Sequence, residues 1–518
     1  MSRINLIRRQ SNLTKKSYYH STSISLKPKI SVAIVGSGPS ACYTAKYLSS
    51  TLKQQSKKGL LTGTNIDDLE RVDIDIMEKL PIPFGLVRMG VAPDHPEVKN
   101  VENDFAQLFA PSDSEKEENI ESSIEFFGNV GVGTDVSVEE LRSLYDVVVL
   151  AYGCESDRKL GIPGEDLEGV YSAREFVSWY NGHPDYVHMG EKFQKVLHDP
   201  RNSSVVVVGQ GNVALDCARI LAKGRDGLND TDIAKHALEV IGDGVKTTTV
   251  LGRRGHVQGA FTIKELRELT KLGDTDFIVE MSELEAGNTE ATQAELDGKG
   301  ARPKIRIDKL LRDAAEKSGS ASSKKEKQVK LRFLLNPTEF LAKNSDHTRL
   351  GQVRCERTKL EGEPGHQRAV GTGGFEDITA DMALVSIGYK GVPLPGMDES
   401  NFDFKRGVVK NTHGKVHGVE NTFVSGWLKR GPSGIIGTNI VDAKDTVSSI
   451  IKDLQNVPED EIEGRYGLQT LLAKKKVQYV DWDGFLKIDK EEKSKTRLRT
   501  DSQPREKFTN IDDMLKCL

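Results

Sequence analysis

The chain has 518 residues, 29% of them charged and 37% hydrophobic, with a formal net charge of −4. That length suits two or three domains, each with its own core. Neither the charge nor any motif marks a nucleic-acid-binding module, and no window holds the ~18–20 apolar residues that a membrane span needs.

Five cysteines, Cys42, Cys154, Cys217, Cys355 and Cys517, are scattered without a C-x-x-C pair. Their spacing offers neither a metal site nor a disulfide framework nor a redox-active dithiol.

The first thirty residues carry Arg3, Arg8, Arg9, Lys15 and Lys16 with eight serines or threonines, and the first acidic residue is Asp67. Basic, hydroxyl-rich and acid-poor, residues 1–29 read as a mitochondrial transit peptide; a disordered basic tail is the plainer alternative. They are set aside for the fold.

Ser31–Val35 is a short apolar run suited to a buried parallel strand. It breaks at Gly36-Ser37-Gly38 and continues as a helical pattern through Ala41, Ala45 and Leu48. Gly36 permits the tight turn, Gly38 leaves room for a pyrophosphate, and Ala41 takes the third small position. The helix start then offers N–H groups and a positive dipole end to phosphates. Val72–Met77 ends at Glu78, placed to accept from a ribose hydroxyl or to stand as an exposed strand-end carboxylate. The glycines precede it by more than the usual ~20 residues, and a surface insertion at Lys53–Asp68 accounts for the excess.

Ser204–Leu221, SVVVVGQGNVALDCARIL, repeats the strand–glycine–helix unit. Its partner strand, Thr247–Leu251, runs into Gly252-Arg253-Arg254-Gly255. A carboxylate there would repel a 2′-phosphate, whereas two guanidiniums grip one in bidentate fashion, so this site is built for NADPH and against NADH. Glu265 accepts from the adenosine ribose or pairs with Arg254. Further strands are expected at Asp146–Leu150, Met382–Ile387 and Thr422–Val424. The stretch Glu283–Lys330 turns polar and irregular, with SGSASSKKEKQ as a loop.

Hydride from NADPH needs an acceptor, and a flavin is the natural one. Pro83–Asn100 and Ser425–Asn439 are the segments free to serve it; the second opens a helix with small residues.

These segments, VAIVGSGPSACYTA, APDHPEVKN, GQGNVALD, GRRGHVQGAFTIKELREL and GWLKRGPSGII among them, resemble the mitochondrial adrenodoxin reductase family from about residue 30 to the end. The resemblance implies an α/β fold of two doubly wound, Rossmann-like domains, glutathione-reductase-like, one inserted in the other. FAD would lie on 30–155 and 382–518, NADP on 156–381. It implies FAD contacts at Gly36, Gly38, Ser40, Glu78, Leu86, Val132, Trp427, Gly434, Ile435 and Ile436. NADP contacts would be Gln210, Gly211, Asn212, Val213, Arg253, Arg254, Glu265 and Gly434. His95, Asp216 and Glu268 fall in matching segments as candidates for a catalytic polar network near the flavin, with no metal. Arg302, Lys304 and Arg306 would dock an acidic [2Fe-2S] ferredoxin. The implied activity passes electrons from NADPH through FAD, singly, to that ferredoxin in the mitochondrial matrix, for iron–sulfur cluster assembly, haem A synthesis or P450 chemistry. Peripheral contact with the inner membrane stays open. Rival readings are a disulfide reductase, which lacks its cysteine pair here, a glutamate-synthase-type input subunit, and a flavin-binding assembly or signalling protein without turnover.

Overall fold

Two stretches rich in β-branched residues each form the middle of a parallel sheet, and the chain passes from one sheet to the other and back. The computed structural model describes residues 29–57, 69–110, 120–198, 204–320, 325–454, 462–498 and 502–518. The expected leader, all but Lys29, and most of the expected insertion, 58–68, lie outside them.

In the first sheet Lys29–Val35 lies between Arg71–Met77 and Val147–Leu150, parallel to both. Glu121–Phe127 extends one side and Thr422–Val424 the other, both in parallel, and a short antiparallel edge of residues 411–416 closes that flank. Val32, Ala33 and Ile34 are fully buried, as a strand covered on both faces requires. The helix Pro39–Lys57 opens with proline, whose missing N–H costs nothing at that position. Its stripe Ala41, Ala45, Leu48 and Leu52, all fully buried, faces the sheet.

The second sheet is wholly parallel, in the order Val170–Ser172, Met382–Val385, Ser204–Val208, Thr247–Leu251, Lys327–Arg332, Thr275–Val279. Met382–Val385 therefore lies past the expected division at 381/382, which falls one strand early. A four-residue apolar run suits either sheet, and only its pairing with Val205–Val208 decides. A three-stranded antiparallel sheet, Leu335–Lys343, Asp346–Glu361 and Arg368–Thr379, is attached beside this unit.

Glu283–Lys330 is not the irregular stretch expected. It holds the helices Glu290–Leu296 and Arg302–Ser320, and a strand begins at Lys327. Ile307, Leu311 and Ala315 are buried at helical spacing in the second core. The abundance of charge hid that period.

The two units are joined by buried ion pairs, including Lys99 to Asp232 at 2.6 Å and Arg219 to Asp94 at 2.7 Å. The C-terminal segment adds Lys507 to Asp232 at 2.9 Å. Among the described residues no helix is long and apolar enough to cross a membrane.

Candidate active site

At the first turn Gly36 has φ 97°, and a Cβ there would lie 2.6 Å from Tyr152 Cα. Only glycine fits. A Cβ on Gly38, by contrast, would meet nothing within 4 Å, so this glycine faces open space at the start of the helix Pro39–Lys57. That cradle is the shape a pyrophosphate needs, and residues suited to a dinucleotide surround it.

Ser37 donates to Glu78 Oε2 through both its N–H, at 3.1 Å, and its hydroxyl, at 2.6 Å, while Leu80 N–H reaches Oε1 at 3.2 Å. Burial pushes the Glu78 pKa up, with the Ser37 and Leu80 bonds opposing it. Glu78 thus organises the turn, and Oε1, which accepts only from Leu80, keeps a lone pair for a ribose hydroxyl. It is not the exposed carboxylate of the plainer reading.

The other expected FAD contacts gather at the same end of this sheet. Val130 N–H donates to Glu78 O at 2.9 Å, bringing the loop of Val132 alongside. The hydroxyl of Ser40 is buried without a partner among the described residues, and a Cβ on Gly426 would stand 2.5 Å from it. Trp427 follows that glycine, its ring 5.5 Å from Tyr389. Gly434 has φ 83°, and Ile435 N–H donates to Thr438 Oγ1 at 3.1 Å where the helix Thr438–Leu454 starts. Ile436 packs against the first core. Leu86 and Ile435 are apolar and exposed, 37% and 66%, as walls of an open groove would be.

Phe84 was missed in the sequence. It holds φ 81°, rare for a bulky residue, and Gly85 behind it lies so close that its Cβ would be 3.2 Å from Gly38 Cα. The Pro83–Asn100 segment is thereby pressed onto the first turn.

At the second turn Gly209 has φ 136°, and a Cβ there would overlap Ser386 O at 2.1 Å. Gly211 again faces open space. Gln210 and Asn212 hold the neighbouring loop: Ala260 N–H donates to Gln210 O, and Thr262 N–H to Asn212 Oδ1, both at 2.8 Å. Val213 is half-buried at the helix start. Arg253 and Arg254 are exposed at the strand end, their carbonyls fixed by Thr358 Oγ1 at 2.7 Å and Leu334 N–H at 3.2 Å. Their guanidiniums have no partner among the described residues. Glu265 accepts from the Thr262 hydroxyl and is not paired with Arg254.

Between the turns the three catalytic candidates come together. His95 Nε2 lies 2.5 Å from Glu268 Oε2. Arg219, also missed in the sequence, ties them to the rest: its Nη1 is 3.3 Å from Glu268 and 2.8 Å from Asp216, and its Nε and Nη2 grip Asp94 at 2.7 and 2.9 Å. Lys223 adds a contact to Asp94 at 2.8 Å. Burial pushes Asp216 up, against the pull of Arg219. Asp94 goes the other way: burial opposes it, but Arg219 and Lys223 hold its carboxyl well below the usual range.

The expected docking segment is helical. Arg302 and Arg306 are exposed one turn apart, whereas Lys304 is in an ion pair with Glu295.

Over 508 residues the chain is 41% identical to a mitochondrial NADPH:adrenodoxin oxidoreductase of Arabidopsis thaliana, covering 95% of this chain and 96% of that one. The chain belongs to the NADPH:adrenodoxin oxidoreductase family. The human protein of the same name is 40% identical over 94% of this chain and 91% of its own. The solved structure of Mycobacterium tuberculosis FprA in complex with NADPH superposes with a TM-score of 0.80 at 36% identity, over 94% of this chain and 99% of that one. Residues 30–268 match the family model for pyridine nucleotide-disulphide oxidoreductases. Family membership there is a matter of fold, for the five cysteines are free and four are buried. Burial pushes the Cys154 and Cys355 thiols up to about 12, the reverse of a reactive thiolate.

Proposed function

We propose that this chain is an FAD-dependent NADPH:ferredoxin oxidoreductase of mitochondria, with FAD on the first sheet and NADPH on the second. The observation that carries the reading is the pair of open glycine turns, the second with two guanidiniums that have no partner among the described residues at the end of its neighbouring strand Thr247–Leu251. FAD, when bound, accepts hydride from NADPH and gives its electrons up singly, which suits a one-electron iron–sulfur partner.

The chain's own residues have distinct tasks. Gly36, Gly38 and the helix start Pro39–Ser40 hold the FAD pyrophosphate, and Glu78 the ribose. Leu86, Val132, Trp427 and Gly434–Ile436 form the walls around the ring system and exclude water. Gln210–Val213 take the NADPH pyrophosphate, Arg253 and Arg254 its 2′-phosphate, and Glu265 its ribose. His95, hydrogen-bonded to Glu268, and Asp216 form a polar cluster around Arg219 between the two sites, placed to orient the reacting groups. Arg302 and Arg306 dock an acidic [2Fe-2S] ferredoxin; Lys304, tied to Glu295, contributes less.

The purified chain with NADPH is expected to reduce ferricyanide directly, but cytochrome c only when a [2Fe-2S] ferredoxin is added. Ferredoxin-independent reduction of cytochrome c at the full rate, or no NADPH-dependent reduction of either acceptor, would overturn the reading.

A further inference from the structure

Arg219 is 1% exposed and touches three carboxylates drawn from three separate segments. Asp94 belongs to the Pro83–Asn100 segment, which Gly85 presses onto the first turn. Asp216 shares the helix Asn212–Lys223, whose start borders the second turn. Glu268 belongs to the helix Ile263–Leu269, just after the arginine pair, and carries His95 on its other contact. Arg219 is seven residues along its helix from Asn212, a distance of about 10 Å.

We propose that Arg219 is the positioning residue that sets the two nucleotide sites against each other and holds the Glu268 carboxylate on His95. This rests on the functional reading above and deepens it. The side chain suits the task. A planar fork binds Asp94 through two parallel N–H bonds and still has Nη1 for Asp216 and Glu268, whereas an ammonium has no fixed fork. The first bond pair crosses from one unit to the other, and the remaining contacts stay within the second. A guanidinium so held cannot shift without moving either the loop on the FAD turn or the helix under the NADPH turn. Lys99 to Asp232 and Lys79 to Asp185 join the same units elsewhere. An altered Arg219 therefore leaves the units attached and changes only their setting near the turns. Hydride transfer is sensitive to that setting, since a displacement of about 1 Å can cost ~10²-fold in rate.

The test uses Arg219→Lys and Asp94→Asn in the full FAD-loaded chain, by stopped-flow bleaching of the flavin with NADPH. NADP+ titration and the long-wavelength charge-transfer absorbance of flavin beside nicotinamide are read alongside. Each variant is expected to keep one FAD and an NADP+ Kd within about threefold of wild type, while bleaching slows ~10–100-fold and the charge-transfer band weakens. The double variant should be no slower than the worse single one, because both remove one interaction.

Bleaching within about threefold of wild type in both variants overturns the proposal. So do rate losses that multiply in the double variant, or a Kd that rises in step with the rate loss. Loss of FAD from either variant overturns it too, by making Arg219 a residue of the fold. A wild-type flavin that NADPH does not bleach overturns the functional reading and this inference together, whereas wild-type bleaching with unaffected variants overturns the inference alone.

Discussion

His256 Nε2 and Asp308 Oδ1 stand 2.8 Å apart, joining the turn that carries Arg253 and Arg254 to the helix that displays Arg302 and Arg306. His256 is 1% exposed and meets the Phe333 ring edge-on at 5.8 Å. Its loss would empty a packed site and remove a charge-assisted bond. His256→Ala is expected to cost about 2–4 kcal/mol of stability, the lower part of that range if Arg312, 3.0 Å from Asp308, compensates. Urea unfolding followed by tryptophan fluorescence measures this; an unchanged midpoint would show that the two segments are held by other contacts.

The Arg253 and Arg254 guanidiniums have no partner among the described residues and their backbone is fixed, so replacing both should leave the fold alone. Arg253→Ala with Arg254→Ala is expected to weaken NADPH binding by roughly 2–4 kcal/mol, taking ~1.5–3 for each charged bond with overlap. NADH has no 2′-phosphate to lose, and its use should change little. Steady-state kcat/KM for both nucleotides checks this, and an equal fall for the two would mark the arginines as structural.

Both turns and the arginine pair were legible because each is contiguous: strand, glycines and helix follow one another within about twenty residues. The Arg219–Asp94 contact spans 125 residues in sequence and has no local signature. Phe84 was hidden for another reason. Its positive φ accompanies the Phe84 N–H bond to Ser37 O at 3.2 Å and the close approach of Gly85 to Gly38, tertiary contacts that propensity does not encode. In Arg302–Ser320 the apolar stripe was present but diluted by charge, and the polar reading won over the periodic one. The strand expected at Met382–Ile387 exists as Met382–Val385, but the division at 381/382 separates it from the sheet it joins, since four apolar residues carry no address.

Gly38 faces open space, where a Cβ meets no protein atom within 4 Å, so a valine side chain there enters the cradle. Gly38→Val is expected to give a folded, colourless chain, seen as native-like circular dichroism with no flavin absorbance. Full flavin content in that variant would move the FAD site elsewhere. Gly36→Val should behave differently and lose the fold, because its Cβ would meet the backbone at Tyr152.

Lys507 is fully buried, and it shares Asp232 with Lys99, which contacts both carboxylate oxygens at 2.6 and 2.7 Å. Lys507 is the surplus cation, and burial pushes its pKa down to about 7. Asp232 is held well below the usual range despite its burial, by Lys507 and Lys99 together. Since Lys99 alone covers both oxygens, Lys507 is the group that gives up its proton. Between about pH 7 and 10.4 the unfolded chain binds that proton and the folded chain does not, so this group makes stability rise with pH. Relative to Lys507→Met, the wild type should gain about 1 kcal/mol per pH unit between pH 7.5 and 9.5. Urea titrations of both at several pH values test the sign, and a constant difference would mean that Lys507 stays charged.

The proposed partner surface on the helix Arg302–Ser320 allows the sharpest separation of effects. Arg302 and Arg306 are exposed on one face of the helix, with Ile305 between them 47% exposed, whereas Lys304 is occupied by Glu295. Complementary charge acts mainly on association and is screened by salt. Arg302→Glu with Arg306→Glu is therefore expected to raise the KM for a [2Fe-2S] ferredoxin about tenfold or more and to flatten its salt dependence. Lys304→Ala should change it far less, because the Lys304 ammonium already has a carboxylate. Ferricyanide needs no docking, and its reduction should stay near wild type in every variant. Lost ferricyanide activity would implicate the fold, whereas an unchanged ferredoxin KM and salt slope in the double reversal would remove this helix from the interface.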